Sequence, residues 1–410
     1  MNEDSVHLVE APPKPSGIWT RAFCLMFISS IAFNMGLEMS NSLTAIYASR
    51  LGATADMVGF VASSYAMTAL VFRLISASVI DTFNRKYLVL FAAVALAVAF
   101  WGFGISDSIP KLIGFRLLQG CAMAFGNACC LAIVADMLPK DKYSSGLGYY
   151  SLAQVVCGAI GPSVGLALVA QVDFRMTFSL TSCFMLLAAF FILLVKINFK
   201  RTKKFSLSIR NIIATEALLP LGIQFLSSMG GTSVWAFLFV YAGYRGISGN
   251  IGLYYTISAI AMLISRPLFG RLTDRYGLVK VVAPAMLFNI ATLMIICYST
   301  TIAGFFVAAV VTAFGQGACG PALQALTMKS VPSDRRGAAS STMYICWDLS
   351  SILSAIIAGQ IVRYCGYTVM WYTACVPYIA AMAVLVWRRK AVSGIERNFE
   401  ATTDITQSNH

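Results

Sequence analysis

The sequence predicts an all-α polytopic membrane protein, with twelve transmembrane helices arranged as two pseudo-symmetric six-helix bundles. Three observations carry that prediction. The first is composition: 58% of the 410 residues are hydrophobic and only 11% are charged. A water-soluble surface needs roughly a quarter of its residues charged, which excludes a cytosolic enzyme and a secreted domain alike. The second is the recurrence of apolar runs longer than about 18 residues, each able to cross a hydrocarbon core of roughly 30 Å as a helix. Strands of an outer-membrane barrel would alternate polar and apolar residues, and runs such as Phe91 to Phe100 (FAAVALAVAF) do not. The third is the distribution of positive charge.

Apolar runs bounded by charge, Pro or Gly place the spans in order. The first bundle, 18–197, holds Ile18–Tyr47, Met57–Ile80, Tyr87–Ile105, Leu112–Leu138, Ser145–Ala170 and Met176–Ile197. The second, 212–387, holds Ile212–Tyr241, Ile251–Leu272, Val279–Ser299, Ile302–Met328, Gly337–Val362 and Tyr367–Trp387. A tail, 1–17, precedes them; a basic linker, 198–211, joins them; a second tail, 388–410, follows. The first apolar run is too long for a cleaved signal peptide, so the first helix is expected to stay in the protein. An even span count puts both tails on one side. If that side is the cytoplasm, the inner segments carry 22 of the 30 Lys and Arg residues, and the outer loops only Arg50, Lys111, Arg175, Arg245 and Arg363. That bias sets orientation in a cell membrane, and the net charge of +13 reads as topology, not as a nucleic-acid surface. The eleven cysteines lie mostly in apolar runs without a CxxC pair or a His cluster, so they predict packing, with no disulfide frame and no metal site.

The halves repeat. Adding 193 takes Arg73 to Arg266, Asp81 to Asp274, Pro139 to Pro332 and Asp141 to Asp334. Two parallel six-helix repeats imply a site at their interface near the bilayer midplane, exposed to either side by rocking one half against the other.

Several local patterns fit this frame. Gly270, Leu272, Asp274, Arg275 and Gly277 form a G-x-L-x-D-R-x-G loop, and Asp81, Arg85 and Lys86 form a degraded first copy. Arg116, Gln119 and Gly120 form R-x-x-Q-G in span four, and Gly158, Gly161, Pro162 and Gly165 form GAIGPSVG in span five. Taken together, these motifs resemble the major facilitator superfamily from the first span to the last, nearest its twelve-span drug or metabolite:proton antiporter-like branch. The resemblance implies an antiporter motif at Gly158, Gly161, Pro162 and Gly165, and a coupling role for Arg116. It implies no cofactor; a proton gradient would supply the energy.

The candidate site residues follow from the cost of polarity in hydrocarbon. Glu38 lies roughly 25 Å along the first helix from Arg21, and a lone charged carboxylate there costs several kcal/mol, which makes it a candidate proton carrier. Asn34, Glu38 and Asn41 share one helix face by their i, i+4, i+7 spacing, so that face is expected to line a cavity. Arg116, Gln119 and Asn127 share a face of span four, and a guanidinium in the membrane needs a carboxylate, carbonyls or water. In span eleven Asp348 sits among Tyr344 and Trp347, which suits proton binding or recognition of a cationic or donor-rich substrate. Trp235 is a weaker stacking candidate. The matched Arg73 and Arg266 suggest equivalent structural roles. Trp19, Trp101, Trp371 and Trp387 fall near span ends and read as interface anchors. At the inner ends of spans two and eight, Asp81, Arg85, Lys86, Gly270, Asp274, Arg275 and Gly277 are candidates for a cytoplasmic gate closed by charge pairs.

The function predicted from these features is export of a small organic molecule by proton antiport, from a monomer in the bilayer. Two alternatives stand beside it: proton symport of an organic anion bound by Arg116, and a non-transporting membrane sensor. Catalysis is not expected, because His7 and His410 are the only histidines and neither HExxH nor GxSxG is present. The absence of a GxxxxGK[ST] loop argues against ATP as the energy source.

Overall fold

The computed structural model describes residues 19–138, 143–195, 213–332 and 335–397, and among them there is no strand. The first half contains α1 (Arg21–Arg50), α2 (Ala55–Thr82), α3 (Arg85–Gly104), α4 (Ile109–Met137), α5 (Tyr143–Gln171) and α6 (Phe174–Leu194). The second half opens with one 3₁₀ turn and continues with α7 (Leu218–Tyr244), α8 (Leu253–Tyr276), α9 (Leu278–Tyr298) and α10 (Ile302–Lys329). A run of 52 helical residues, Arg336–Trp387, follows, broken at Gly366 into α11 (336–365) and α12 (367–387). Gly366 has φ 85°, a left-handed value that glycine adopts without a Cβ penalty. Gly277, also at φ 85°, makes the tight turn between α8 and α9. Ten helical segments are long and apolar enough to cross a membrane, one of them containing both α11 and α12. The remaining helix, α4, is 29 residues long and carries Arg116, Gln119 and Asn127.

Local capping explains several boundaries. Thr20 Oγ1 accepts from Phe23 N at 3.2 Å to start α1, and Asp173 Oδ1 accepts from Met176 N at 2.6 Å to start α6. Lys86 Nζ donates to the Leu193 and Val195 carbonyls at 2.9 and 2.7 Å, closing the end of α6.

Packing between the halves is uneven along the membrane normal. The halves meet along α2–α11 and α5–α8, with α1 touching α7 between them. Gly59 on α2 lies against the Ala355 carbonyl of α11, and Gly252 at the start of α8 lies against Pro162 and Ser163 of α5. These two contacts obey the same 193-residue offset on both partners, so the pseudo-symmetry of the sequence is realised as a pair of matched glycine contacts. All of them sit at one end of the molecule, where a single apolar core joins both halves, from Phe33 and Phe103 to Phe237 and Tyr378. At the opposite end the core divides. One cluster belongs to the first half alone, around Phe23, Val89 and Ile133, and another to the second half, around Leu278, Leu326 and Leu385. That divided end carries Arg85, Lys86, Arg271, Arg275, Lys280 and Arg388 to Lys390, and is called the basic end below.

Trp371 corrects one expectation. Instead of anchoring at the interface it is 0% exposed, packed edge-on to Tyr241 at 5.4 Å. The break at Gly366 lets α12 turn that ring inward, whereas Trp19, Trp101 and Trp387 are exposed as expected. The tails before residue 19 and after 397, the linker 198–211, and Pro139, Asp141 and Asp334 lie outside the described residues.

Candidate functional site

Arg116 is only 3% exposed and sits at the meeting of α1, α2 and α4. Its Nε donates to the Val61 carbonyl at 3.2 Å and Nη2 to the Ala62 carbonyl at 3.0 Å, both on α2. Its Nη1 donates to Asn41 Oδ1 at 3.2 Å and to Gln119 Oε1 at 2.8 Å, while Gln119 Nε2 donates to the same Asn41 oxygen at 2.9 Å. The Tyr65 ring lies under the guanidinium at 4.6 Å. Gly120 makes this possible: a Cβ there would meet the Tyr65 carbonyl and Thr68 Oγ1, so only glycine lets α4 approach α2 closely enough. The R-x-x-Q-G motif is thus one device, with the glycine bringing the carbonyls within reach of the arginine. Charge-assisted hydrogen bonds of about 1.5–3 kcal/mol each hold the cation without a carboxylate.

Glu38 lies near the middle of α1, roughly 25 Å from its start at Arg21 and 18 Å from its end at Arg50. It is half-buried and has no hydrogen-bond or ion-pair partner among the described residues. Gly161 and Gly165 of α5 pack on this part of α1; a Cβ at Gly161 would stand 2.7 Å from Glu38 Cβ. The GAIGPSVG run therefore packs against α1 at Glu38 on one side and against the start of α8, through Pro162 and Ser163, on the other. Tyr65, Tyr255 and Cys157 lie within electrostatic reach of Glu38. Trp235 of α7 stacks on Tyr255 with ring centroids 4.3 Å apart and is 50% exposed. Of the other stripe members, Asn41 joins the Arg116 network, while Asn34 folds back on its own helix, donating to the Ser30 carbonyl at 2.8 Å. Asn127 is half-buried on α4.

Asp348 is not an isolated carboxylate. Its Oδ2 accepts from Arg73 Nε at 2.7 Å, an ion pair that crosses from α11 to α2 and so joins the halves. Tyr344 lies over the same guanidinium at 5.0 Å and contacts Trp347 edge-on at 5.7 Å. Residues 344, 347 and 351 occupy the α11 strip between the face that meets α2 (Asp348, Ala355, Gly359) and the face that meets α7, where Ser354 bonds the Met229 carbonyl. Trp347, 41% exposed, therefore faces the space between the halves. Arg266, the repeat partner of Arg73, is exposed and reaches only Met262 Sδ at 4.0 Å. The expected equivalence fails for a simple reason: the position corresponding to Asp348 in α5 is Val155, so the second half's arginine has no acid to meet.

Tyr65 is the group that sequence reasoning missed. It stacks on Arg116, bonds Ser351 of α11, and lies within reach of Glu38 and Asp348 at once. No local pattern marks a tyrosine inside an apolar span. A second missed pair, Asp56 and Arg363, bridges α2 and α11 at 2.7 Å at the end opposite the basic one. Beside it Asn250 Nδ2 donates to the Ser163 carbonyl at 2.9 Å, and Thr256 bonds the Ala159 carbonyl at 2.5 Å. At the basic end the proposed gate is less complete. The side chains of Asp81 and Asp274 lie outside the described residues, Arg85 Nε bonds the Ile80 carbonyl at 3.3 Å, and Lys86 caps α6. Gly270 and Arg275 are exposed.

A fold of twelve membrane helices in two halves, with buried polar groups at the seam, defines a membrane transporter, and comparison with known proteins bears this out. The Major Facilitator Superfamily profile matches residues 22–219 and 220–407, and the chain belongs to that family. Its relatives include a Bacillus subtilis "Multidrug resistance protein 1", 24% identical over 340 residues, which cover 81% of this chain and 87% of that protein. A Lactococcus lactis "Multi-drug resistance efflux pump PmrA homolog" is 22% identical over 366 residues, covering 85% of this chain and 90% of that one. Among solved structures, a peptide transporter POT in complex with sulfate has a TM-score of 0.76 at 13% identity, covering 93% of this chain and 97% of that one. The nucleoside transporter NupG has a TM-score of 0.78 at 12% identity, covering 90% and 99%. At these identities the structural likeness speaks to the fold alone.

Proposed function

We propose that this transporter exports a small organic molecule from the cytoplasm by proton antiport, with Glu38 as the proton-carrying group. The observation that carries the proposal is that Glu38, at mid-helix, lacks a charged partner among the described residues while touching the glycine-rich segment of α5. A carboxylate in that position is stabilised either by a proton or by a bound cation, and competition between the two is the simplest way to exchange one for the other. The stacked Trp235 and Tyr255 rings and Trp347 supply apolar and π surface for the organic part of a cargo. The basic end is read as cytoplasmic because of the positive-inside bias. In this arrangement the joined end is closed to the outside, and the central groups are reached from the cytoplasm between the separate inner cores. The named activities of the multidrug relatives support export as the direction.

Uptake of an organic anion on Arg116 is the less favoured reading. Four N–H donors of that guanidinium are engaged by neutral acceptors and the side chain is buried, which leaves it poorly placed to grip an anion. The test uses proteoliposomes with an imposed pH gradient, ethidium as fluorescent cation and pyranine to follow protons. Ethidium movement against proton flow, with stoichiometric alkalinisation or acidification, is the expected result. Co-directional movement replaces antiport with symport, and flux indifferent to the gradient across a wider panel of organic cations and anions removes the proposal.

A further inference from the structure

On the lipid-facing side of the second half, α9 and α12 leave a groove of about 420 Å³ lined by Ala283, Pro284, Leu287, Met382, Ala383 and Val386. The lining is entirely apolar side chain. Its origin is local: Pro284 removes a backbone hydrogen bond inside α9, and Ala283 and Ala383 leave the facing helices thin at the same level. The groove opens to the bilayer through Leu287 and Val386, both exposed.

What surrounds its basic end is not apolar. Lys280 lies three residues before the groove on α9, and Arg388, Arg389 and Lys390 follow Val386 immediately on α12. At 1.5 Å per helical residue, these four cations stand within roughly 5–10 Å of the groove along the membrane normal. All four are exposed, and none forms an ion pair among the described residues. Trp387, 76% exposed with Arg388 over its ring at 4.7 Å, sits at the depth where indoles mark the headgroup boundary. The chain then turns into a helical segment, 389–397, which is folded back by Val392 and Ile395 onto the cluster containing Leu278, Val282 and Leu385. That docking fixes the start of the segment, with Arg389 and Lys390, at the end of α12 next to the groove.

We propose that this groove is a binding site for one anionic glycerophospholipid of the leaflet at the basic end, with an acyl chain between α9 and α12 and its phosphate among Lys280, Arg388, Arg389 and Lys390. Positive-inside topology accounts for cations at this end in general. It does not account for a preformed apolar slot directly beneath four unpaired ones, and that combination is the chemistry of an anionic lipid, whose charge and chain are joined at the same depth. A zwitterionic lipid fills the slot equally well but gains little from the cations.

The test is native mass spectrometry of the full-length protein in detergent, titrated with phosphatidylglycerol or phosphatidylcholine of matched chains. Phosphatidylglycerol is expected to bind at least about tenfold more tightly, and the combination Lys280→Gln, Arg388→Gln, Arg389→Gln and Lys390→Gln to erase that preference while leaving phosphatidylcholine unchanged. Ala383→Phe, which fills the slot, is expected to weaken both lipids. Fluorescence of the unaltered protein gives a readout that needs no charge variant: dibrominated phosphatidylglycerol should quench the emission lost in Trp387→Phe more than dibrominated phosphatidylcholine does. Equal binding of the two lipids, equal quenching, or undiminished affinity for both lipids in the Ala383→Phe protein overturns the proposal. So does glycerophosphoglycerol without acyl chains competing as well as the whole lipid, which would make this a phosphate site alone.

Discussion

Glu38 and Arg116 occupy neighbouring helices at the centre of the first half, and the fold treats them in opposite ways. Arg116 is enclosed by neutral acceptors and an aromatic face, so its charge is permanent and its position fixed. Glu38 receives no hydrogen bond among the described residues, so its protonation state is free to follow its surroundings. No ion pair joins the two; Tyr65 stands within reach of both, and its bond to Ser351 carries the contact across to α11. This division of labour predicts the effect of neutralisation. Glu38→Gln keeps the shape of the protonated acid but cannot release a proton. Gradient-driven transport in proteoliposomes should fall at least tenfold while energy-independent exchange of labelled substrate persists; unchanged gradient-driven transport would remove Glu38 as the carrier.

Among the helices, the tight contacts of α2 with α11 and of α5 with α8 decide which end is shut. The Asp56–Arg363 pair is tempting as the latch, but Arg363 is half exposed, and such pairs are worth only about 0.2–1 kcal/mol. The matched glycine contacts matter more. A Cβ at Gly252 would lie 2.6 Å from the Ser163 backbone, with no flexible side chain able to yield. Gly252→Leu should therefore force α8 from α5 and favour the alternative conformer. In a background with exposed Cys183 and Cys365 replaced, Ser163→Cys should label several-fold faster with a membrane-impermeant maleimide added to the face opposite the basic end; labelling no faster than with glycine present would assign closure to something other than this packing.

For the molecule as a whole, the two halves share a backbone plan and differ in chemistry. The 193-residue offset reproduces Gly59 as Gly252 and Ala355 against Pro162, yet it carries Glu38 to Gly231 and Arg116 to Ala309. The packing contacts follow the repeat, whereas Glu38 and Arg116 have no ionisable counterpart in the second half. The consequence for the Asp56–Arg363 bridge is quantitative. Asp56→Asn removes at most about 1 kcal/mol from the closed conformer, which shifts a two-state population by no more than about fivefold. Distances measured by spin labels across the ends of α2 and α11 that carry this pair should show that modest rise in the separated population, with the swap Asp56→Arg plus Arg363→Asp restoring the original distribution. A complete loss of the closed conformer would mean the pair contributes far more than its exposure allows.

The sequence by itself determined the membrane class, the helices and their repeat, because apolar length, charge bias and a constant offset are properties of the chain read in one dimension. It also pointed to Glu38, Arg116 and Asp348, since polarity in hydrocarbon stands out against its neighbours. Only the tertiary structure decided the partners. Arg73 meets Asp348 across 275 positions, Asp56 meets Arg363 across 307, and Trp371 turns inward at a break in its helix. Such pairings depend on which helix faces cross at the seam between halves. A hydropathy pattern, uniform around helices surrounded by protein and lipid alike, carries almost no record of facing.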